Sequence, residues 1–409
     1  MDKWLTQAAV ILFVTLSIVC MPLAKWAEAK GMSVEEEILE ILKDEEVIEE
    51  WKYQELKEKA EKEKKKGMLS KEGWNLTFSG SLEFEYVDTQ SDAEIDTEDP
   101  HVQLDKFTLT PKISSDMHNI SLWAEFEGHS EADDGTFVCA FEAAWDKLPL
   151  NSKLSLGLLP RMHRTSRGTE VYPMIGTATW RYESYQIRWL GKHDPVYWGL
   201  SFGEGLRLGT KQVSEDSSYK MFRDNKNTGE KMDHHEVGLM LGATPEFGEK
   251  TSLDVVGFGY FGELSQDDID ELADELPTYD SDDDDQTRIG GRVTLKYTNL
   301  KVVGEVASMT DGKLDRDGWY LQCSYKFKTG NKKYFSSVEP LVRYGKLDVD
   351  WDKSFDDSAT WDREMTVLAL ITEVAKNVKL KTEYYMNDED TGNGEVDNDE
   401  FLAQVQFKF

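Results

Sequence analysis

From residue 74 to its C-terminus, the chain alternates apolar and polar residues with a period of two. In the stretch 74–87, Phe78, Leu82 and Phe84 share one face, whereas Ser81 and Glu83 lie on the other. This period is typical of β-strands that have one apolar face. We predict sixteen strands, at residues 74–88, 103–115, 118–129, 136–147, 152–160, 177–190, 194–205, 233–244, 250–263, 287–298, 300–311, 316–328, 334–349, 361–373, 376–387 and 399–409.

The connections between these strands alternate in length. The short ones lie at 115–118, 148–151, 191–193, 244–249, 298–299, 329–333 and 375–377, and most of the others are longer. Transmembrane barrels of the bacterial outer membrane have short periplasmic turns and long outer loops. The pattern therefore predicts an all-β fold, a transmembrane antiparallel β-barrel of about 16 strands. Sixteen strands enclose more space than side chains fill, so we expect water and solutes in the lumen.

The first 73 residues differ from the rest. We interpret 1–29 as a signal peptide, because an apolar stretch precedes the small-x-small site Ala27-Glu28-Ala29; an uncleaved anchor is the alternative. We predict that residues 30–73 form a charged, periplasmic helical segment followed by a linker, and Ser33-Val-Glu-Glu36 is a capping box. This segment is either a short coiled coil or a solvated tether. The barrel occupies 74–409.

Charge and cysteine content narrow the possible functions. Lys and Arg number 47 against 79 Asp and Glu, which gives a net charge of -32. Nucleic-acid binding needs a basic face, so we expect no nucleic-acid partner. The mean hydropathy of -0.57 is compatible with a barrel because half of each strand is polar. Beyond the signal peptide only Cys139 and Cys323 remain, and we predict that both are free and face lipid.

The chain ends in a strand with an aromatic terminus. Its alternating residues Phe401, Val405, Phe407 and Phe409 look like the signal that the barrel assembly machinery recognises in porins. Two other stretches are similar to porins: residues 38–59, ILEILKDEEVIEEWKYQELKEK, which lack the Gly that usually separates two helices, and residues 142–160, EAAWDKLPLNSKLSLGLLP. The chain thus resembles bacterial outer-membrane porins, and more narrowly the phosphate-selective (O and P type) porin superfamily and its relatives.

The resemblance implies a homotrimer of water-filled channels in the bacterial outer membrane, in contact with lipid and lipopolysaccharide. The N-terminal segment would lie in the periplasm. We therefore expect a porin for passive diffusion of small hydrophilic solutes, with ion transport as one activity. A substrate-specific channel or binding barrel for a sugar or siderophore is the alternative. A barrel enzyme such as a phospholipase or protease is less favoured, because such enzymes use fewer strands and need a Ser/His or Asp/His constellation at the outer rim, and the sequence shows no convincing one.

The candidate selectivity site is the third long loop, 161–175. Its Arg161, His163, Arg164 and Arg167 form a compact basic cluster that would attract anions at a pore constriction. Basic residues with lumen parity would extend this path: Lys106, Lys112, Arg188, Arg292, Lys296, Arg343, Lys379 and Lys381. The alternative is that these cations pair with lumen acids, which would leave a nearly neutral wall. The acids in question are Glu83, Glu85, Glu125, Glu305 and Glu383.

The other long loops are acidic. Asp388, Asp390 and Asp397 lie in a Gly-containing loop and are weak calcium candidates, because their spacing does not match an EF-hand. We otherwise expect no metal site and no cofactor, beyond Ca²⁺ or Mg²⁺ bound loosely at the acidic outer loops.

Overall fold

The computed structural model describes residues 69–71, 73–89, 100–128, 136–165, 167–212, 219–225, 235–248, 250–276, 283–330, 334–351, 358–392 and 396–409. The predicted signal peptide and all of the predicted segment 30–73 except residues 69–71 and 73 lie outside these residues. Contacts divide the chain into Met1–Thr77 and Phe78–Phe409. In the first unit, the short strand Leu69–Lys71 pairs antiparallel with Trp74–Leu76.

The second unit is a closed antiparallel barrel of sixteen strands, as predicted. Each strand pairs with the next along the chain, and the last pairs with the first through Ser81 and Lys408. The strands are β1 (Trp74–Thr89), β2 (His101–Ser115), β3 (Ile120–Gly128), β4 (Thr136–Leu148), β5 (Ser152–Pro160), β6 (Glu183–His193), β7 (Val196–Glu204), β8 (His235–Ala243), β9 (Thr251–Glu263), β10 (Asp285–Tyr297), β11 (Leu300–Asp311), β12 (Leu314–Tyr325), β13 (Tyr334–Asp350), β14 (Asp362–Ala375), β15 (Val378–Asp390) and β16 (Glu400–Lys408).

The two faces of each strand meet different surroundings. In β12, Trp319 and Leu321 are exposed on the outside, whereas Tyr320 and Gln322 are buried on the lumen side. The same alternation places an apolar belt around the outside of the barrel, formed among others by Ile187, Phe202, Leu239, Ile289, Val306, Val342 and Leu368. An apolar outer band with polar groups inside is the arrangement that a lipid bilayer requires.

The long loops contain their own secondary structure. The loop after β5 contains helix α1 (Met174–Thr179), the loop after β7 forms a hairpin of Arg207–Gln212 and Lys220–Asn225, and the loop after β9 contains helix α2 (Gln266–Glu275). The predicted strand 177–190 therefore begins too early, because residues 174–179 are helical and β6 starts at Glu183. No helix in the described part of the chain is long and apolar enough to cross a membrane.

The prediction that both cysteines face lipid is wrong for Cys139. Cys139 sits where the register between β3 and β4 shifts, between the pairs Glu125↔Ala140 and Phe126↔Val138. The extra residue of such a bulge is turned away from its expected face. Cys139 is consequently buried, with its Sγ 3.2 Å from Glu125 Oε1. Cys323 lies on the outer face of β12 with the exposed residues Leu321 and Tyr325 on either side of it on that face. Both cysteines are free.

Candidate functional site

The segment 161–182, here called the inner loop, leaves β5 and folds into the barrel. Its backbone and side chains are bonded to lumen-facing residues of distant strands. The backbone N–H of His163 donates to Tyr260 Oη of β9 (2.7 Å), and Arg343 of β13 donates to Thr169 Oγ1 and to the carbonyl of Val171, both at 2.8 Å. The inner loop therefore crosses the lumen.

Helix α1 anchors the inner loop through apolar packing. All six of its residues are buried, and it contributes Met174, Ile175 and Ala178 to an apolar cluster. The cluster continues into lumen-facing residues of β1, β9 and β11–β16: Val87, Val256, Phe258, Tyr260, Val303, Ala307, Met309, Tyr320, Leu347, Met365, Val367, Tyr385 and Leu402. Protein thus fills a part of the lumen that we expected water to occupy.

Arg161 does not face an open pore. It is 2% exposed and forms ion pairs with Asp224 of the loop hairpin and Glu236 of β8, and it donates to the Thr179 carbonyl at 2.9 Å. Burial opposes its charge, but the two carboxylates raise the pKa of Arg161 above its ordinary value. Arg161 is therefore an anchor of the inner loop, and its charge is already neutralised.

The ion pairs of Arg161 continue into a buried network. Asp224 also binds Arg288 of β10 (2.5 Å), Arg288 binds Asp311 of β11 (2.6 Å), and Asp311 binds Arg316 of β12 (2.5 Å). With Glu236 this makes three arginines and three carboxylates, so the network is neutral. This network is not among the features that we predict from the sequence. The available signal was that Arg288 and Arg316 have lumen parity at the loop ends of their strands.

His163 is also buried in the structure. Its Nε2 lies 2.9 Å from Glu305 Oε1, which also accepts from Thr165 Oγ1 at 2.9 Å, and its ring stacks on Phe258 with centroids 3.8 Å apart. Burial lowers the pKa of His163 below its ordinary value, against the opposing effect of Glu305. The neutral form of His163 is therefore favoured at pH 7. Its ring packs on Phe258 and does not attract anions.

Arg164 and Arg167 have a different environment. Arg164 lies 3.9 Å from Glu183, with side-chain exposures of 47% and 10%, and Arg167 lies 2.7 Å from Glu170, with exposures of 25% and 5%. In both pairs the guanidinium is the exposed partner. Arg167 lies over the ring of Tyr172 at 4.5 Å, as does Arg181 at 5.7 Å. The sequence prediction did not include Arg181.

The predicted lumen cations fall into three groups. Arg188, Arg292 and Lys381 pair with carboxylates, at 3.4 Å from Glu142, 3.5 Å from Asp254 and 2.8 Å from Glu170. Arg343 donates hydrogen bonds to the inner loop. The remaining four are half-buried or exposed: Lys106, Lys112, Lys296 and Lys379. Arg292 and Lys296 also line a cavity of about 540 Å³ between β7 and β11, with Tyr197, Asp254, Thr294 and Lys301.

The C-terminal residues form the seam of the barrel. Phe401 and Phe407 pack on Tyr86 and Phe84 of β1, with ring centroids 6.3 and 6.5 Å apart, and Val405 pairs with Phe84. The Phe409 carbonyl accepts from the N–H of Gly80 at 3.1 Å. Whether these residues also serve as an assembly signal stays a prediction.

The weak calcium candidates are not brought together with other ligand-type side chains. Asp388, Asp390 and Asp397 are exposed at the end of β15 and in the loop that follows it. Within the described residues, the groups with metal-ligand spacing are Glu125–Glu127–Cys139, Glu83–Asp105–Glu170 and Asp283–Asp284–Asp285, and none contains these three.

The fold has many solved counterparts, although no family profile and no curated protein sequence matches the chain. OmpF of Salmonella typhi superposes with a TM-score of 0.55 at 11% identity, over 83% of this chain and 99% of OmpF. The anion-selective porin of Comamonas acidovorans gives 0.53 at 11%, over 82% and 100%. OmpT of Vibrio cholerae, an outer membrane protein in its trimer form, gives 0.52 at 12%, over 83% and 100%.

At identities of 11–12%, these superpositions show a shared fold and no closer relationship. The O and P type assignment accordingly stays a prediction. The sixteen strands and their antiparallel closure agree with these barrels, and the chain therefore has the fold of the outer-membrane porins.

Proposed function

We propose that the protein is an outer-membrane channel for passive diffusion of small hydrophilic solutes, and that it prefers anions. The observation that supports an anion preference is the unequal exposure within the ion pairs of the inner loop. Arg164 and Arg167 are reached by water, whereas their partners Glu183 and Glu170 are buried. A passing ion is therefore closer to positive than to negative charge.

The wall of β4–β6 repeats this asymmetry. Glu142 is 6% exposed at its side chain, and its partners Lys153 and Arg188 are 32% and 12% exposed. Buried carboxylates act as fixed counter-charges, and the flexible cations that cover them are free to contact anions. Both sides of the proposed path then carry cations, and on this wall the more accessible one is Lys153.

The position of the inner loop in the lumen also supports the proposal that the permeating solutes are small. The contacts of the loop run along β8–β16, β1 and β2, where α1 and the buried network occupy part of the lumen. The path that we propose lies between the inner loop and β3–β6. A narrow pore excludes large solutes by size and brings every permeating ion close to the wall charges.

The assembly and location follow from the fold by analogy. One counterpart is described in a trimer form, and an apolar outer belt requires a bilayer. We propose a homotrimer in the bacterial outer membrane, with the residues before the barrel in the periplasm. Cross-linking of the folded protein in detergent tests the trimer, since a single monomeric band would contradict it.

The selectivity is tested by reversal potentials in planar bilayers across a KCl gradient. We expect ohmic steps and a reversal potential of the sign that marks anion preference. A solvated charge contributes about 1 kcal/mol to an ion at ~4 Å. The variant Arg164→Gln/Arg167→Gln should therefore lower the anion-to-cation permeability ratio several-fold.

Lys250→Gln is the matched control, because Lys250 is exposed in the short turn before β9, at the other end of the barrel. It should leave the ratio unchanged. Cation preference of the native protein would overturn the anion proposal but not the channel, whereas the absence of any conductance from folded protein would overturn the channel itself.

A further inference from the structure

Three carboxylates meet where the inner loop reaches the wall of β1 and β2. Glu83 comes from β1, Asp105 from β2 and Glu170 from the inner loop, and one oxygen of each lies within 4.8 Å of the others. Glu83 and Glu170 are each 4% exposed, and Asp105 is half-buried. Like charges this close repel one another unless a positive charge or a proton lies between them.

One oxygen of this group has unused bonding capacity. Glu83 Oε1 accepts hydrogen bonds from Ser81 (3.2 Å) and Gln406 (2.7 Å), but Glu83 Oε2 accepts none from the residues that the structure describes. A buried carboxylate oxygen without a donor is unfavourable, because it has lost its hydration and gained nothing in return. This oxygen points to a ligand that is positively charged.

The neighbouring cations leave part of the negative charge uncompensated. Glu170 binds Arg167 at 2.7 Å and Lys381 at 2.8 Å, and Lys106 lies close enough to Asp105 and Glu170 to interact with both. Of the three carboxylates, Glu170 therefore has its negative charge best compensated.

Two more carboxylates and one guanidinium surround the group. Gln404 Nε2 donates to Glu85 (3.4 Å) and to Asp105 (3.3 Å), and Glu383 accepts from the N–H of Glu170 at 2.8 Å. Arg343 and Lys381 both lie close enough to Glu383 to interact with it. Among the described residues, Glu83 accepts hydrogen bonds but forms no ion pair, so its negative charge is left uncompensated.

We propose that Glu83, Asp105 and Glu170 bind one divalent cation of the Ca²⁺ type, which ties the inner loop to the barrel wall. Ca²⁺ takes oxygen ligands at about 2.3–2.6 Å in flexible geometry, and oxygens on opposite sides of one ion are then roughly 5 Å apart. The observed spacing lies within this limit. Mg²⁺ requires shorter and more regular bonds, so Ca²⁺ is preferred.

The test is calorimetric titration of the folded full-length protein in detergent, after removal of metals with a chelator. We expect saturable binding of one Ca²⁺ per chain, with at least a tenfold (~1.4 kcal/mol) loss of affinity in Glu83→Gln and in Asp105→Asn. Both variants keep the side-chain size, and heat-modifiability on gels verifies that each has folded.

Asp283→Asn is the matched control. Asp283 belongs to an exposed acidic group at the start of β10, so its variant should bind Ca²⁺ as the native protein does. Native protein without saturable uptake would overturn the proposal, as would equal affinity in Glu83→Gln. Loss of binding only in Asp283→Asn would move the site to the outer loop. Because this measurement needs no bilayer, its outcome is independent of channel activity.

Discussion

The substitution Arg161→Gln tests whether the buried network holds the inner loop in the lumen. It removes the guanidinium that binds Glu236 and Asp224 and that donates to the Thr179 carbonyl at 2.9 Å. Asp224 keeps its partner Arg288 at 2.5 Å. The side chain of Glu236, which is 9% exposed, loses its cation.

The expected cost comes from the carboxylate that is left unpaired. Removal of one partner from a buried ion pair destabilises a protein by about 3–5 kcal/mol. Because Asp224 remains paired with Arg288, we expect the lower end, about 3 kcal/mol. At ~1.4 kcal/mol for each factor of ten, this favours the released inner loop by roughly 100-fold.

Hydrogen exchange measured by mass spectrometry is the suitable assay, because local opening of the loop exposes its amides without unfolding the barrel. In Arg161→Gln, peptides from 161–182 should exchange about 100-fold faster. Peptides from β12 should not change. Lys250→Gln should exchange as the native protein does in both regions.

The double variant Arg161→Gln/Glu236→Gln distinguishes two causes of faster exchange. One is the loss of the contacts of Arg161, and the other is the unpaired carboxylate of Glu236. If the stranded carboxylate causes the effect, neutralising it should recover part of the protection. A less than threefold acceleration in the single variant would refute the reasoning, and would mean that α1 and the contacts of Arg343 hold the loop without Arg161.

Two further outcomes follow from the packing. A Cβ on Gly318 of β12 would lie 2.0 Å from Ile175 Cγ2 of α1, whereas a Cβ on Gly304 would have no neighbour nearer than 3.8 Å. Gly318→Ala should therefore destabilise the inner loop by about 1–3 kcal/mol and speed its hydrogen exchange. Gly304→Ala should do neither. In the folded protein in detergent, a maleimide should label Cys323 readily and Cys139 slowly, because only Cys323 faces outward; equal rates would contradict the bulge at Cys139.

The barrel could be predicted from the sequence because its signal is local. A period of two fixes which residues face outward, and the short turns fix which strands are neighbours. Both kinds of information lie within about twenty residues of each strand. The exceptions are also local: the bulge at Cys139 adds one residue, and α1 replaces the first residues of a predicted strand because MIGTAT is apolar enough for either conformation.

The environment of the inner loop could not be predicted, because its partners are distant in sequence. Arg161 and Glu236 are 75 residues apart, and Glu170 and Glu383 are 213 apart. No periodicity links such positions. Lumen parity alone showed which arginines point inward, but it did not show which of them meet a carboxylate and which meet water.

The basic cluster of the sequence therefore has two physical roles that composition alone does not separate. Arg161 and His163 are buried with Glu236 and Glu305, so their polar groups stabilise the loop in the lumen. Arg164 and Arg167 follow in the same segment but remain accessible. In the channel that we propose, the first pair would hold the second in place, because an exposed guanidinium on a released loop would not line the pore. Loss of Arg161 should thus weaken ion selectivity although its own charge is not exposed to ions, and this dependence distinguishes an anchored selectivity loop from a wall whose charges act independently.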